Sequence, residues 1–250
     1  MKIGVIGNTN LTFKAILFLL EKKHDIRYVF GLSKKKLVKK ANAYEEMDQF
    51  CLKNNINYII SDDWNDIINI DVDIVFEMGD SRIVPSLFLE KHKVIGNHGA
   101  ILPNVQGGAS LTWGRMLNNG HWGVSLFELN EKIDNGDILV TKDVFYDPKN
   151  TKMDVFVEMC DNRTVECIKK YLNGDFMVKQ NKKWDIKLNH RVDSEIGVSI
   201  LLDALEKKLN IYMPPRNEAD SKLKNKWDES FKRNFRLANN KPYPIWSEEQ

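Results

Sequence analysis

The chain opens on Lys2-Ile3-Gly4-Val5-Ile6-Gly7, an unbroken apolar run rich in β-branched residues that stops at a glycine. A run with no polar alternation suits a strand covered on both faces. The period then changes. In Thr12–Lys23 the apolar residues Phe13, Ile16, Leu17 and Leu20 recur at helical spacing. Ile26–Phe30 returns to the strand pattern, and Lys34–Asn54 predicts a charged helix with Leu37, Ala41, Tyr44, Met47 and Leu52 on one side. Asn57–Ser61, Asp73–Met78 and Lys93–Gly96 are three further short apolar runs. Strands alternating with amphipathic helices predict an α/β architecture, a doubly wound and mostly parallel sheet with helices on both faces.

Downstream, Ala109–Leu117 predicts a helix that closes at Leu117-Asn118-Asn119-Gly120. Gly123–Leu129 and Ile138–Val144 alternate as strands around the turn Ile133-Asp134-Asn135-Gly136-Asp137, and Asp154–Leu172 is an amphipathic helix ended by Asn173-Gly174. From about residue 175 the composition shifts. Lys179–Lys187 is polar and basic around Trp184, Glu195–Leu209 predicts a helix, and the tail from Met213 to Gln250 is rich in proline. The expected division is a main domain over 1–175 and a small C-terminal extension over 176–250.

Composition narrows the classes. The 250 residues carry 37 Lys+Arg against 35 Asp+Glu, and a net charge of +2 gives no reason to expect nucleic acid or acidic lipid as a partner. The longest apolar stretch, Ala15–Leu20, is far short of the ~20 residues of a membrane span. Cys51, Cys160 and Cys167 are widely spaced and form no metal-ligand pattern, so no metal is expected and a reducing, cytoplasmic setting is.

Ligands of such sheets bind beyond the carboxyl ends of the strands. Three loops lie there: Gly7-Asn8-Thr9-Asn10, Gly79-Asp80-Ser81-Arg82 and Gly96-Asn97-His98-Gly99. The first has no G-x-G-x-x-G, so a nicotinamide dinucleotide is not expected at it. His98 follows a strand and Asp134 sits in a later turn. An imidazole with a pKa of about 6.5 exchanges protons near neutrality. A carboxylate beside it orients it, and an uncharged amide such as that of Asn97 donates to an oxyanion. Together they suit attack on a carbonyl.

The string Gly96-Asn97-His98-Gly99-Ala100-Ile101-Leu102-Pro103-Asn104-Val105-Gln106-Gly107-Gly108-Ala109 resembles the signature of the folate-dependent formyltransferases. Gly123-Val124-Ser125-Leu126 running to Asp134-Asn135-Gly136-Asp137-Ile138 resembles a second block of that family. Val72–Val75 with Gly79–Pro85 resembles its pterin-holding strand and loop. In the tail, Pro215-Arg216, Asp220-Ser221, Trp227, Ser230, Arg236-Leu237-Ala238 and Pro242-Tyr243-Pro244 are similar to the sugar and methionyl-tRNA branches.

The resemblance implies transfer of a formyl group from N10-formyltetrahydrofolate to an amine, with His98 as base, Asp134 beside it and Asn97 as oxyanion donor. Counted back from Pro103, the family asparagine slot falls on Gly96, and Asn97 stands one residue later. Either the strand end bulges to bring Asn97 to the site, or the donor lies elsewhere. Gly79, Asp80, Ser81, Arg82, Ile83, Leu102 and Asp137 are implied as folate contacts. Arg82 either reaches the glutamate tail of folate or pairs with Asp80 on the surface. Asn8, Asn10, Gln106 and Gly107 are implied as acceptor contacts.

The length of the tail favours a nucleotide-linked amino sugar as acceptor, in synthesis of surface polysaccharide, with a homodimer formed through an apolar segment at Tyr243–Trp246. The alternatives are methionyl-tRNA or glycinamide ribonucleotide as acceptor, or a non-catalytic module that binds folate or a nucleotide sugar.

Overall fold

A computed structural model describes residues 1–33, 36, 44, 46–80, 82–189 and 192–248. The opening run forms β1 (Lys2–Ile6), and helix α1 (Asn10–Glu21) follows it. The helix starts two residues earlier than its apolar spacing indicated because Thr9 caps it. The Thr9 side chain accepts from Thr12 N, and the Thr12 side chain accepts from Thr9 N. This reciprocal box satisfies two amides that the first turn would otherwise leave unpaired.

The chain continues through β2 (Asp25–Gly31), α2 (Met47–Lys53), β3 (Asn57–Ile60), a 3-10 turn at Trp64–Ile67, β4 (Ile74–Glu77), α3 (Ser86–Lys91) and β5 (Val94–His98). Part of the helix expected over Lys34–Asn54, Leu37 and Ala41 included, lies outside the described residues. Next come β6 (Val105–Gly107), α4 (Ser110–Leu117), β7 (His121–Glu128), β8 (Ile138–Phe145) and α5 (Met153–Leu172). The tail adds β9 (Ile186–Lys187), α6 (Ser194–Glu206), β10 (Ile211–Met213), β11 (Lys222–Leu223), α7 (Glu229–Ala238) and β12 (Ser247–Glu248).

The main sheet has seven strands in the order β3-β2-β1-β4-β5-β7-β8, and the pairs from β3 to β5 are parallel. The order reverses direction between β1 and β4, the switch point of a doubly wound sheet, and both strands end at the loops named above. Three short strands, β6, β9 and β10, make a second parallel sheet that the sequence did not announce. Val105–Gly107 read as a glycine loop and Ile186–Lys187 as a polar run. Each is too short to show a period of two.

Two compact units emerge. The first comprises 1–97, 126–140 and 164–178. The second comprises 98–125, 141–163 and 179–250. In the first, Ile6, Phe30, Val75, Val84, Phe88 and Val94 form the core. In the second, Trp113 is buried and donates from Nε1 to the Pro214 carbonyl at 2.9 Å. Arg216 lies over the Trp113 ring and donates to Ser194 Oγ at 2.8 Å and to the Asp220 carbonyl. Burial pulls its pKa down to about 10. The Tyr243 phenol is enclosed, and burial together with the Asp161 and Cys160 charges raises its pKa. The apolar surface foreseen at Tyr243–Trp246 is therefore reduced. Trp246 also lies against the Arg236 guanidinium, while Ile245 is exposed. All three cysteines are buried, and no disulfide forms among the described residues. No helix among the described residues is long and apolar enough to cross a membrane.

Candidate active site

In the first unit the decisive contact joins the ends of two neighbouring strands. The β4–β5 ladder is regular through Glu77↔Gly96, with no bulge. A side chain at Gly96 would run into Leu129, whose Cδ1 lies 2.1 Å from the position of a Cβ. Residue 97 instead turns toward the glycine loop. The Asn97 Oδ1 accepts from the Gly79 amide at 3.0 Å. A backbone N–H can only donate, so it is the oxygen of Asn97 that faces it. The Asn97 Nδ2 group is left without a partner among the described residues.

The glycine loop is itself clamped. Thr12 Oγ1 donates to the Met78 carbonyl at 2.5 Å, and Thr9 Oγ1 reaches the same carbonyl at 3.5 Å. Glu77, buried at the end of β4, accepts from the Asp80 amide at 2.6 Å. The Asp80 carboxylate is wholly buried and takes the Arg82 guanidinium through Nη2 at 2.7 Å. Arg82 also donates to the Ser61 carbonyl at 3.0 Å and lies over the Phe30 ring at 4.4 Å. The ion pair expected at the surface is thus an internal strut, because two aromatic rings, Phe30 and Trp64, cover the guanidinium. Ile83 is 77% exposed and offers an apolar side chain beside the loop. Ser81 lies outside the described residues.

Asp134 occupies the left-handed region at φ 48, a conformation that aspartate tolerates in turns. It is half-buried, whereas Asp137 is exposed and its carbonyl accepts from Glu128 N at 2.9 Å. Asn8 is fully buried. It donates to the Tyr58 hydroxyl at 2.6 Å and accepts from the Leu32 amide. Its carboxamide ties β1 to its neighbours, so it is not presented to an acceptor. Asn10 is exposed at the start of α1.

In the second unit, His98 is 6% exposed and its Nε2 lies 3.0 Å from the Val105 carbonyl. A carbonyl only accepts, so Nε2 carries hydrogen, and in the neutral ring the lone pair sits on Nδ1. The segment after His98 is held at both ends. Ser125 Oγ donates to the Ala100 carbonyl at 2.8 Å and accepts from the Leu102 amide at 2.9 Å. Trp122 Nε1 donates to the Gly99 carbonyl at 2.6 Å. Leu102 is buried. Gln106 is fully buried and donates from Nε2 to the Lys182 carbonyl at 2.6 Å. Gly107 has φ 97, and a Cβ there would stand 2.1 Å from the Met213 carbonyl oxygen.

Of the expected residues, Asn97 meets Gly79 and Asp80 meets Arg82 in the first unit, while His98 meets the strand that carries Gln106 in the second. Sequence reasoning missed Glu77, Ser125 and the Thr9–Thr12 box. The Thr-x-x-Thr spacing ahead of an apolar helix was a readable signal for the box. Nothing in the sequence pointed to Glu77 as the partner of a loop amide.

No family model matches the chain. Over 59% of its length it is 23% identical to a methionyl-tRNA formyltransferase of Lactobacillus delbrueckii subsp. bulgaricus, of which it covers 49%. The chain spans about half the length of the curated relatives it matches most strongly. A 4-N formyltransferase from Francisella tularensis superposes with a TM-score of 0.68 at 15% identity, covering 100% of this chain and 92% of that one. An N-formyltransferase from Helicobacter canadensis, solved in complex with folinic acid and dTDP-3-aminofucose, superposes with a TM-score of 0.64 at 16% identity, covering 95% and 80%. At such identities the structural likeness carries the fold, and the sequence matches point the same way. The chain is similar in sequence to methionyl-tRNA formyltransferases and shares the fold of the formyltransferases named above.

Proposed function

We propose that this protein transfers the formyl group of N10-formyltetrahydrofolate to the amine of a nucleotide-linked amino sugar. The observation that carries the reading is the Asn97 carboxamide. Its oxygen is occupied by Gly79 N, so only its donor end is available to a reacting oxygen. In the reaction the neutral amine attacks the formyl carbon, and Asn97 Nδ2 donates to the oxygen that becomes negative. His98 accepts the amine proton at Nδ1. The C–N10 bond then breaks, and the proton held by His98 passes to N10. Asp134 stabilises the imidazolium. The exposed Ile83 and the backbone of the Gly79 loop face the flat ring of folate. The Arg82 guanidinium already engages Asp80 and the Ser61 carbonyl.

The amino-sugar acceptor is supported by structural likeness to the Helicobacter and Francisella proteins. The curated sequence relatives favour a second reading, methionyl-tRNA as acceptor. The test offers purified protein N10-formyltetrahydrofolate with a panel of 3- and 4-amino-sugar nucleotides, glycinamide ribonucleotide and charged initiator tRNA. Product mass and released tetrahydrofolate are followed. Formylation of one amino-sugar nucleotide, lost in His98→Asn, is the expected result. Formylation of the tRNA alone replaces the acceptor, and folate binding without turnover on any amine overturns the enzyme reading.

A further inference from the structure

In the first unit one side chain ties the carboxyl ends of β2, β3 and β4 together, and the proposed chemistry leaves it unused. Arg82 takes the Asp80 carboxylate in a fork: Nη2 donates to Oδ2 at 2.7 Å and Nε to Oδ1 at 3.1 Å. The Arg82 amide also donates to Asp80 Oδ1 at 2.8 Å, so one carboxylate fixes the backbone as well as the guanidinium. Nη1 donates at 3.0 Å to the carbonyl of Ser61, the residue after β3. Phe30 of β2 and Trp64 lie over the guanidinium at 4.4 and 5.2 Å. The Asp80 side chain is 0% exposed and that of Arg82 12%.

Stability alone is a poor reason for such a pair. Taking two charges out of water costs about as much as their attraction returns, and an apolar filling of the same space often does as well or better. What a buried fork does supply is direction, because a planar guanidinium meets a carboxylate in a fixed geometry. Here direction matters at the next residue. Arg82 is turned inward, and Ile83 beside it is 77% exposed, the apolar side chain offered to the folate ring. The two ends of the turn are secured separately. Met78 and Gly79 are held by Thr12 and Asn97, whereas the end that carries Ile83 is held through Arg82.

We propose that Arg82 is a positioning residue for the formyl donor. Locked on Asp80, it sets the Ile83 end of the turn in the conformation that receives the pterin, and it touches no substrate itself. The inference rests on folate as the donor in the reading above. Loosening the lock leaves Asn97 in place and lowers the fraction of molecules ready to bind. A turn that keeps its binding conformation a tenth of the time binds about tenfold more weakly. The effect therefore falls on donor affinity and spares the chemical step.

The experiment measures folinic acid binding to the full chain by calorimetry, in wild type, Arg82→Ala and Arg82→Lys. Arg82→Ala should raise Kd about tenfold. Ethylguanidinium at millimolar concentration should restore most of that affinity, since it returns the planar fork to the space over Phe30, and ethylammonium should not. Arg82→Lys keeps the charge and should still bind nearly as weakly as Arg82→Ala; it decides the matter should Arg82→Ala not fold. In formyl transfer, KM for N10-formyltetrahydrofolate should rise in parallel while kcat and the acceptor KM hold. Wild-type affinity in either variant, or rescue by ethylammonium as well, overturns the inference, because the fork is then not needed. A loss that neither cation relieves, or a kcat that falls with the donor KM unchanged, overturns it too. Wild type that binds no folinic acid overturns the folate reading itself.

Discussion

Two glycine-bearing segments invite comparison, the Met78–Arg82 loop of the first unit and the His98–Gly108 segment of the second. The first is held by polar side chains: Thr12 on a carbonyl, Glu77 and Asn97 on amides, and Asp80 on Arg82. The second is held by close packing as well as by Ser125 and Trp122, with the backbone at Gly107 pressed against Met213. A loop held by hydrogen bonds positions groups and can be loosened one bond at a time. A loop held by backbone contact has no such gradation, because the obstructing atom cannot turn aside.

The largest expected effect separates holding from donating. Asn97→Asp keeps an acceptor for Gly79 N and removes the donor. On the proposed mechanism it lowers kcat by ~10²–10³, and His98→Asn lowers it by ~10²–10⁴, both read by single-turnover formyl transfer. An Asn97→Asp protein that retains wild-type kcat would show that the carboxamide only fastens the loop. Next is Gly107→Ala. Positive φ and the Met213 oxygen together should cost about 3 kcal/mol of stability, measured by denaturant unfolding. A loss below about 1 kcal/mol would mean that the packed segment yields as readily as the polar one.

Thr12→Val should be milder. It removes both the bond to the Met78 carbonyl and the acceptor of the Thr9 amide, a loss of about 1–2 kcal/mol, and Thr12→Ser should recover most of it. Equal losses in Val and Ser would assign the effect to packing of the methyl group instead.

The smallest effect concerns a polar anchor inside the packed unit. Burial opposes ionisation of Asp193, yet the Lys224 ammonium at 2.8 Å and the bonds from Glu195 N and Trp227 hold its pKa below the ordinary value. A lowered folded-state pKa adds stability that is fully present above the unfolded value of about 3.9 and is lost as pH falls through the folded one. Thermal melts from about pH 6 down to about pH 3 should therefore show a steeper acid loss for wild type than for Asp193→Asn. Parallel curves would remove Asp193 from the acid response.

Much of the first unit was legible in the chain. Its strands are apolar runs that periodicity detects, and β1, β2, β4 and β5 fall within two or three residues of their expected bounds. His98 and Asp134 stood out because few residue types do proton chemistry at neutral pH. What escaped notice depends on pairing. Gln106 read as a loop residue contacting the acceptor and is buried in β6. Asn8 read as a turn residue available to an acceptor and is spent inside the unit. His92 is half-buried, with its ring nitrogen 3.1 Å from the Ile68 carbonyl, a partner that its polar sequence surroundings do not announce.

By itself the sequence determined the alternation of strands and helices, hence the doubly wound sheet and the loops at its carboxyl ends, because hydrophobic period is a local property that one segment declares alone. It also singled out His98 and Asp134 as candidates for proton chemistry. Only the tertiary structure decided that Asn97, one position late by the family pattern, serves the glycine loop. That outcome turns on Leu129 filling the space beside Gly96 and on Gly79 N standing 3.0 Å from a carboxamide eighteen residues away in the chain. The partner of a hydrogen bond between strand ends follows from sheet order and register, and no stretch of sequence contains either.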